Sequence, residues 1–263
     1  MAFSLRAGVT SVVGGYREVN QDAAFAATWG AGIADGVGGG PAGDLASAAL
    51  VHRLASASGP VQDADELAVR IRTANWDLGA HVRRDPALAG MATTLTGLWF
   101  TRDGGLLLAH TGDSRGYLLR QRHLVRQTRD DSFVQVLVER GMLSEEDAMT
   151  HPRRNIITAS LRGAETDLVR VWERVPVRGD RWMLCSDGVS DYLPDDAIAE
   201  VLEYVDDADA AANALVQLSL DAGSRDNVTA IVADIVDGAP DTARARFAGA
   251  AGTRFAEDVD LAG

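Results

Sequence analysis

The chain has 263 residues, 46% of them hydrophobic and 24% charged, with a net charge of −13. That length supports one large domain or two small ones with a full core. The acidic balance excludes a phosphate-backbone binder, which needs a basic face, so no nucleic-acid partner is expected. No apolar run approaches the ~20 residues of a bilayer span. The opening residues lack the basic start and apolar core of a secretion signal, and a lone cysteine, Cys185, cannot form an internal disulfide. The expectation is a cytoplasmic protein without membrane contact, monomeric by default. Every basic residue is arginine and none is lysine, which fits the codon bias of a GC-rich bacterial genome.

In chain order, residues 3–15 alternate loosely and end at Gly14-Gly15, a first strand running into a loop that carries Arg17, Asn20, Gln21 and Asp22. Ile33 and Ala34 then deliver Asp35 into a run of glycines, where the backbone turns with no Cβ in the way. Residues 44–56 predict a helix capped by Asp44, with Leu45, Ala48, Ala49 and His52 on one face. A second helix spans 64–84, where Leu67, Ile71, Ala74, Leu78 and Val82 recur at three and four residues.

From Ala92 the texture turns to β, in the runs TTLTGLWF, LLLAHT, GYLLR and HLVRQT, which read as an antiparallel meander. Ser132 to Arg140 predicts a helix ended by Gly141, and Ser144 with Asp147 opens a short one. Residues 150–166 have no period. Strands follow at 168–175 and 181–185, helices at 195–204 and 207–221, and a last strand at 227–236. This order predicts an α/β (α+β) domain over 1–238, two packed antiparallel sheets forming a β-sandwich flanked by helices on both sides. Residues 239–263, rich in Ala, Gly and charge, predict a disordered tail outside it.

Four times an apolar strand or its boundary delivers an aspartate into a turn: Asp35, Asp113, Asp187 and Asp226. Aspartates at strand ends converge on one rim of a sheet, where repulsion is costly unless cations are present. Hard divalent cations such as Mg²⁺ and Mn²⁺ take oxygen ligands and keep waters. The cysteine and histidine pattern of a zinc site is absent.

These motifs resemble the bacterial metal-dependent serine/threonine protein phosphatases of the PPM, or type 2C, family. RxxNxD stands at Arg17 to Asp22, DGxGG at Asp35 to Gly39, TT at Thr93-Thr94, GDSRxYL at Gly112 to Leu118, SDG at Ser186 to Gly188 and DNxT at Asp226 to Thr229. The resemblance covers about residues 8 to 236. It implies a β-sandwich with a binuclear centre at one end, where Asp35 bridges two metals, Gly36 offers its carbonyl, and Asp187 and Asp226 complete the ligands. Asp22 would hold metal-bound water. Asp113, with the region of Asn155, would serve a third cation. Arg17 would clamp the phosphate, and residues 129–165 would form a flap. The implied reaction is hydrolysis of phosphoserine and phosphothreonine in proteins by direct attack of a hydroxide bridging Mn²⁺ or Mg²⁺, opposing a bacterial Ser/Thr kinase.

The chain departs from the family pattern at four positions. Gln21 replaces an acidic residue, Val37 a histidine or methionine, Ala92 a glycine and Asp131 a common histidine. Gln21 and Val37 leave open a second reading, a pseudophosphatase that binds phosphoproteins without turning them over. Gly112 to Gly116 also fits GxSxG, but strand follows the serine where a nucleophile elbow needs helix. A cysteine phosphatase would need arginine six residues after Cys185, where Asp191 stands, so Cys185 reads as a buried strand residue. His110 reads as buried beside the metal corner, His81 and His123 as exposed, and Trp76, Trp99, Trp172 and Trp182 as packing residues.

Overall fold

Strands covered on both faces need apolar side chains on both, and these have them. In β2 (Asp22–Ala27) Ala23 and Phe25 join a cluster with helices, while Ala24 faces the opposite sheet. In β10 (Arg181–Cys185) Met183 and Cys185 face helices, while Trp182 and Leu184 fill the space between sheets.

The computed structural model describes residues 2–37, 42–242 and 244–254. One sheet orders β1 (Phe3–Val12), β11 (Val228–Asp237), β10, β7 (Arg115–Arg120) and β8 (His123–Arg126). The other orders β12 (Arg246–Gly249), β2, β3 (Gly30–Val37), β5 (Leu95–Phe100), β6 (Leu106–Thr111) and β9 (Arg170–Arg174), with β4 (Ala92–Thr93) pairing β3. Every pairing between these strands is antiparallel. Helices α6 (Asp195–Tyr204) and α7 (Ala208–Asp221) cover the first sheet. Helices α1 (Gly43–Ser56) and α2 (Ala64–Arg84) cover the second. The layers are those expected, helix on sheet on sheet on helix.

Several expectations need correction. The runs from Ala92 are not one meander: β5 and β6 belong to one sheet and β7 and β8 to the other. The chain crosses the sandwich at Gly112, whose φ of 105° and tight approach to Thr94 suit glycine. Local strand pattern cannot state which sheet the next strand joins.

Asp44 does not cap α1. The N-cap is Ala42, without a side-chain bond, and Asp44 lies in the first turn paired with Arg254 at 2.5 Å. The buried face includes Ser47, Leu50, Val51 and Leu54, whereas Leu45, Ala49 and His52 are half-buried. With a sheet, α2 and a third helix all touching α1, apolar spacing does not single out one face.

The expected tail is folded in part. β12 pairs with β2, and α8 (Ala250–Arg254) packs on α1 with Ala250 and Ala251 buried. His52 stacks on Phe247 and donates from Nε2 to the Ala251 carbonyl at 2.7 Å. A four-residue strand and a five-residue helix are too short to show a period. Residues 255–263 lie outside the described residues, as do Gly38 and Gly39 of the glycine run.

Trp99 and Trp182 are in the core as expected, together with Trp29, but Trp76 is 62% exposed under Arg83. A chain ended at Thr242 uncovers the β2 edge and the apolar side chains beneath β12 and α8. Its melting temperature is expected to fall by roughly 6–12 °C; calorimetry of the two lengths checks this, and no change would return the segment to the status of a tail.

Candidate functional site

Antiparallel order brings the chain's aspartates to one end of the sandwich. Asp22, first in β2, lies directly opposite Asp35, near the end of β3, and facing like charges in a ladder repel. In the other sheet β10 ends at Cys185, and Asp187 opens the short helix α5 (Asp187–Ser190). Asp226 precedes β11, which runs beside β10 in the opposite direction. Asp113 occupies the corner by which β6 crosses to β7.

Each is held by its neighbours. Asp22 Oδ2 accepts hydrogen bonds from Ser186 Oγ at 2.7 Å and Thr229 Oγ1 at 2.6 Å, while its buried Oδ1 has no partner. Asp35 is pinned through its backbone: its N–H donates to Thr94 Oγ1 at 2.9 Å and its carbonyl accepts from Thr93 Oγ1 at 2.9 Å. Gly36 lies so close to Gly43 that a Cβ would come within 2.4 Å of that backbone, so only glycine fits. Arg17 Nη2 donates to Asp226 Oδ2 at 2.7 Å. The Arg17 loop is tied down by Asn227, which accepts from Gln21 N at 2.8 Å and donates to the carbonyls of Val13 and Val19. Asp113 is 7% exposed, and its Oδ1 has no partner.

The electrostatics follow from burial and crowding. Burial, then the charges of Asp22 and Asp187, hold Asp35 well above the usual carboxylate range. Burial, then Asp113 and Asp191, does the same to Asp187. Burial pushes Asp22 up to about 6 against the opposing pull of its hydroxyl donors, and Asp113 up to about 7. Burial pushes the Cys185 thiol up to about 12, so Cys185 is no nucleophile.

A divalent cation suits this donor set. The donors are all oxygen, and buried oxygens of Asp22 and Asp113 lack partners. Among the described residues no three carboxylates, histidines or cysteines close into a ready-made cage. A small hard cation does not need one, because it keeps several waters and takes one or two carboxylates.

A family model described as protein phosphatase 2C matches residues 16–219. The chain belongs to that family. It is 40% identical to the serine/threonine protein phosphatase PstP of Mycobacterium tuberculosis over 89% of its own length and 45% of PstP, so it spans about half of that relative. It is 34% identical to the serine/threonine phosphatase stp of Listeria monocytogenes, over 77% of this chain and 82% of stp. A crystal structure of the PstP catalytic domain in complex with two manganese ions superposes with a TM-score of 0.83 at 38% identity, covering 90% of this chain and all of that one.

Arg17, Asp22, Asp35, Gly36, Asp187 and Asp226 stand near one another, and the charge of Asp113 acts on both Asp35 and Asp187. Asn155 is exposed and does not line the cavity beside Asp113. Val37 and Ala92, two of the four departures from the family pattern, are register partners between β3 and β4 and so constitute one local change. Asp131 accepts from Gly112 N at 3.1 Å and pairs with Arg170, bracing the Asp113 corner. The sequence reading assigned no role to Ser186, Thr229 or Asn227, though all three stand in its own motifs, SDG and DNxT. Asp130 and Asp191, paired with Arg115 and Arg154, carried no motif signal.

Carboxylates whose folded pKa lies above the unfolded value bind more protons when folded, so stability falls as pH rises through that interval. The chelated protein is therefore expected to melt progressively lower between roughly pH 4 and pH 7, the span set by Asp22 and Asp113 and extended upward by Asp35 and Asp187. Mn²⁺ should reverse the loss, most strongly at the upper end. Scanning fluorimetry across pH with and without metal measures it, and a flat chelated profile would contradict the coupling.

Proposed function

We propose that this chain hydrolyses phosphoserine and phosphothreonine in proteins, with divalent cations held by Asp35, the Gly36 carbonyl, Asp187 and Asp226, and a further cation by Asp113. The observation that carries it is a set of buried and half-buried, mutually repelling carboxylates beside a guanidinium that is itself anchored to one of them. The two manganese ions of the PstP catalytic domain support the same reading. When bound, the cations activate water as a nucleophile and absorb charge developing on the phosphoryl oxygens.

The chain's own groups do the rest. Arg17 is a planar fork that donates to two phosphate oxygens at once, and Asp226 fixes its direction. Asp22 accepts a hydrogen bond from water at the site and so orients it for attack. Ser186 and Thr229 hold its Oδ2 and leave Oδ1 for that task. Val37 has no proton to give, so the leaving oxygen takes its proton from solvent, which slows poor leaving groups most.

The substrates on this reading are phosphoproteins of a bacterial cytoplasm, among them a Ser/Thr kinase and its targets. Turnover is favoured over the pseudophosphatase reading because Asp35, Asp187 and Asp226 are all present in the chain, and Gln21 and Val37 are the only departures that support the alternative.

Turnover of a phosphothreonine peptide is expected to fall at least about a thousandfold on chelation and to return with Mn²⁺ or Mg²⁺. Asp35→Asn and Asp226→Asn should lose activity to a similar degree while circular dichroism stays unchanged. Phosphate release that survives chelation would sink the metal assignment; peptide binding without release would make the chain a binding module. Arg17→Ala should raise KM about tenfold or more with a smaller effect on kcat, and steady-state kinetics separates the two.

A further inference from the structure

The Asp22 carboxylate belongs to one sheet and is held from the other. Its hydroxyl donors, Ser186 and Thr229, come from the end of β10 and the start of β11, and the network does not stop with them. Thr229 is the register partner of Ser11 in β1, and their hydroxyl oxygens lie 2.7 Å apart. Ser11 Oγ in turn accepts from Asn20 Nδ2 at 2.9 Å.

The chemistry of these groups fixes which way each proton points. Asn20 Oδ1 accepts the backbone N–H of Asp22 at 3.1 Å. The nitrogen of the same amide therefore faces Ser11, and an amide nitrogen only donates. With one lone pair of its oxygen turned to Asn20, Ser11 directs its single proton to Thr229. Thr229 also has one proton, and it goes to Asp22 Oδ2 at 2.6 Å. Ser186 is set in the same sense: its Oγ accepts the Thr229 N–H at 3.2 Å and donates to Asp22 Oδ2 at 2.7 Å. Two directed donors fill Oδ2, while Oδ1 is buried and without a partner. Hydrogen bonds strung in one direction polarise one another. The C-terminal strand lies directly on this relay. A Cβ on Gly249, at the end of β12, would stand 2.8 Å from Ser11 Oγ and 2.1 Å from the Asp22 carbonyl oxygen.

We propose that Ser11 is a positioning residue for the hydrolysis, acting with Asn20 through Thr229 to hold the Asp22 carboxylate so that its Oδ1 orients the attacking water. The inference rests on the phosphatase reading for the reaction it serves. Without the Ser11 hydroxyl, Thr229 loses the donor on its oxygen. Without the Asn20 amide, Ser11 is free to turn its proton away from Thr229.

The test uses the full chain with Mn²⁺ and a phosphothreonine peptide. Ser11→Ala should lower kcat about tenfold with KM unchanged within about twofold. The Mn²⁺ dissociation constant, read by calorimetric titration without peptide, should rise by about the same factor. Asn20→Asp keeps the acceptor for the Asp22 N–H and removes only the donor to Ser11, so it should repeat both losses. Thr229→Val cuts the relay between Ser11 and Asp22, so adding Ser11→Ala to it should cost less than about twofold more.

Wild-type kcat and Mn²⁺ affinity in Ser11→Ala overturn the proposal. So does a loss of equal size with and without the Thr229 hydroxyl, which would make Ser11 a packing residue of β1. Should Ser11→Ala melt below the assay temperature, Asn20→Asp, alone and combined with Thr229→Val, carries the same comparison. If the wild-type chain releases no phosphate, the phosphatase reading falls, and the Mn²⁺ titrations of these variants still decide the relay.

Discussion

The constraint on which this structure turns is the repulsion among carboxylates that the fold itself gathers. Asp22 and Asp35 face each other across neighbouring strands, and Asp187 and Asp226 rise from the adjoining sheet at the same end. Burial and mutual charge both penalise the ionised forms, which is why Asp35 and Asp187 are held so far above the ordinary carboxylate range. Proteins do not keep such an arrangement for stability, since an uncompensated buried charge is strongly destabilising. Its value lies in what it attracts.

The sandwich makes the gathering possible without long loops. Antiparallel neighbours begin and end at the same edge, so a residue at the start of one strand and a residue at the end of the next meet automatically. Close packing then sets the fine positions. Gly36 lies against Gly43, and Gly188 is so near the Asn227 carbonyl that a Cβ would stand 2.0 Å from it. The second contact seats Asp187 beside Asp226, one from the end of β10 and one from the approach to β11. Glycine in both SDG and DGxGG is thus a packing requirement as much as a matter of backbone freedom.

How much of this was legible in the sequence depended on length scale. Strand and helix spans were readable wherever apolar periodicity ran over five or more residues, as in α2, β10 and α6, whose bounds match the expected ones. The aspartates were readable because strand-to-turn boundaries leave a composition signature. The choice of sheet at Gly112 was not, because it is decided by contact with Thr94, a residue on another strand. The burial of 246–254 was not, because short alanine-rich elements gain their structure from β2 and α1 rather than from their own pattern. The sequence pointed to Asp44 as a cap; in the fold it is a tertiary ion-pair partner of Arg254.

The segment from Asp130 to Thr158 is stitched to the Asp113 corner rather than merely lying over it. Asp131 donates its N–H to the Gly112 carbonyl at 2.6 Å, accepts from Gly112 N through its side chain, and accepts from Thr158 N at 2.7 Å through its carbonyl. Phe133 and Ile156 continue that ladder. These bonds fix Gly112, and with it the next residue, Asp113. Asp113 in turn raises the cost of charge on Asp35 and Asp187. The segment that carries α3 (Phe133–Glu139) and α4 (Glu145–Thr150) and the corner that carries Asp113 are in this way hydrogen-bonded into one piece of structure through Asp131.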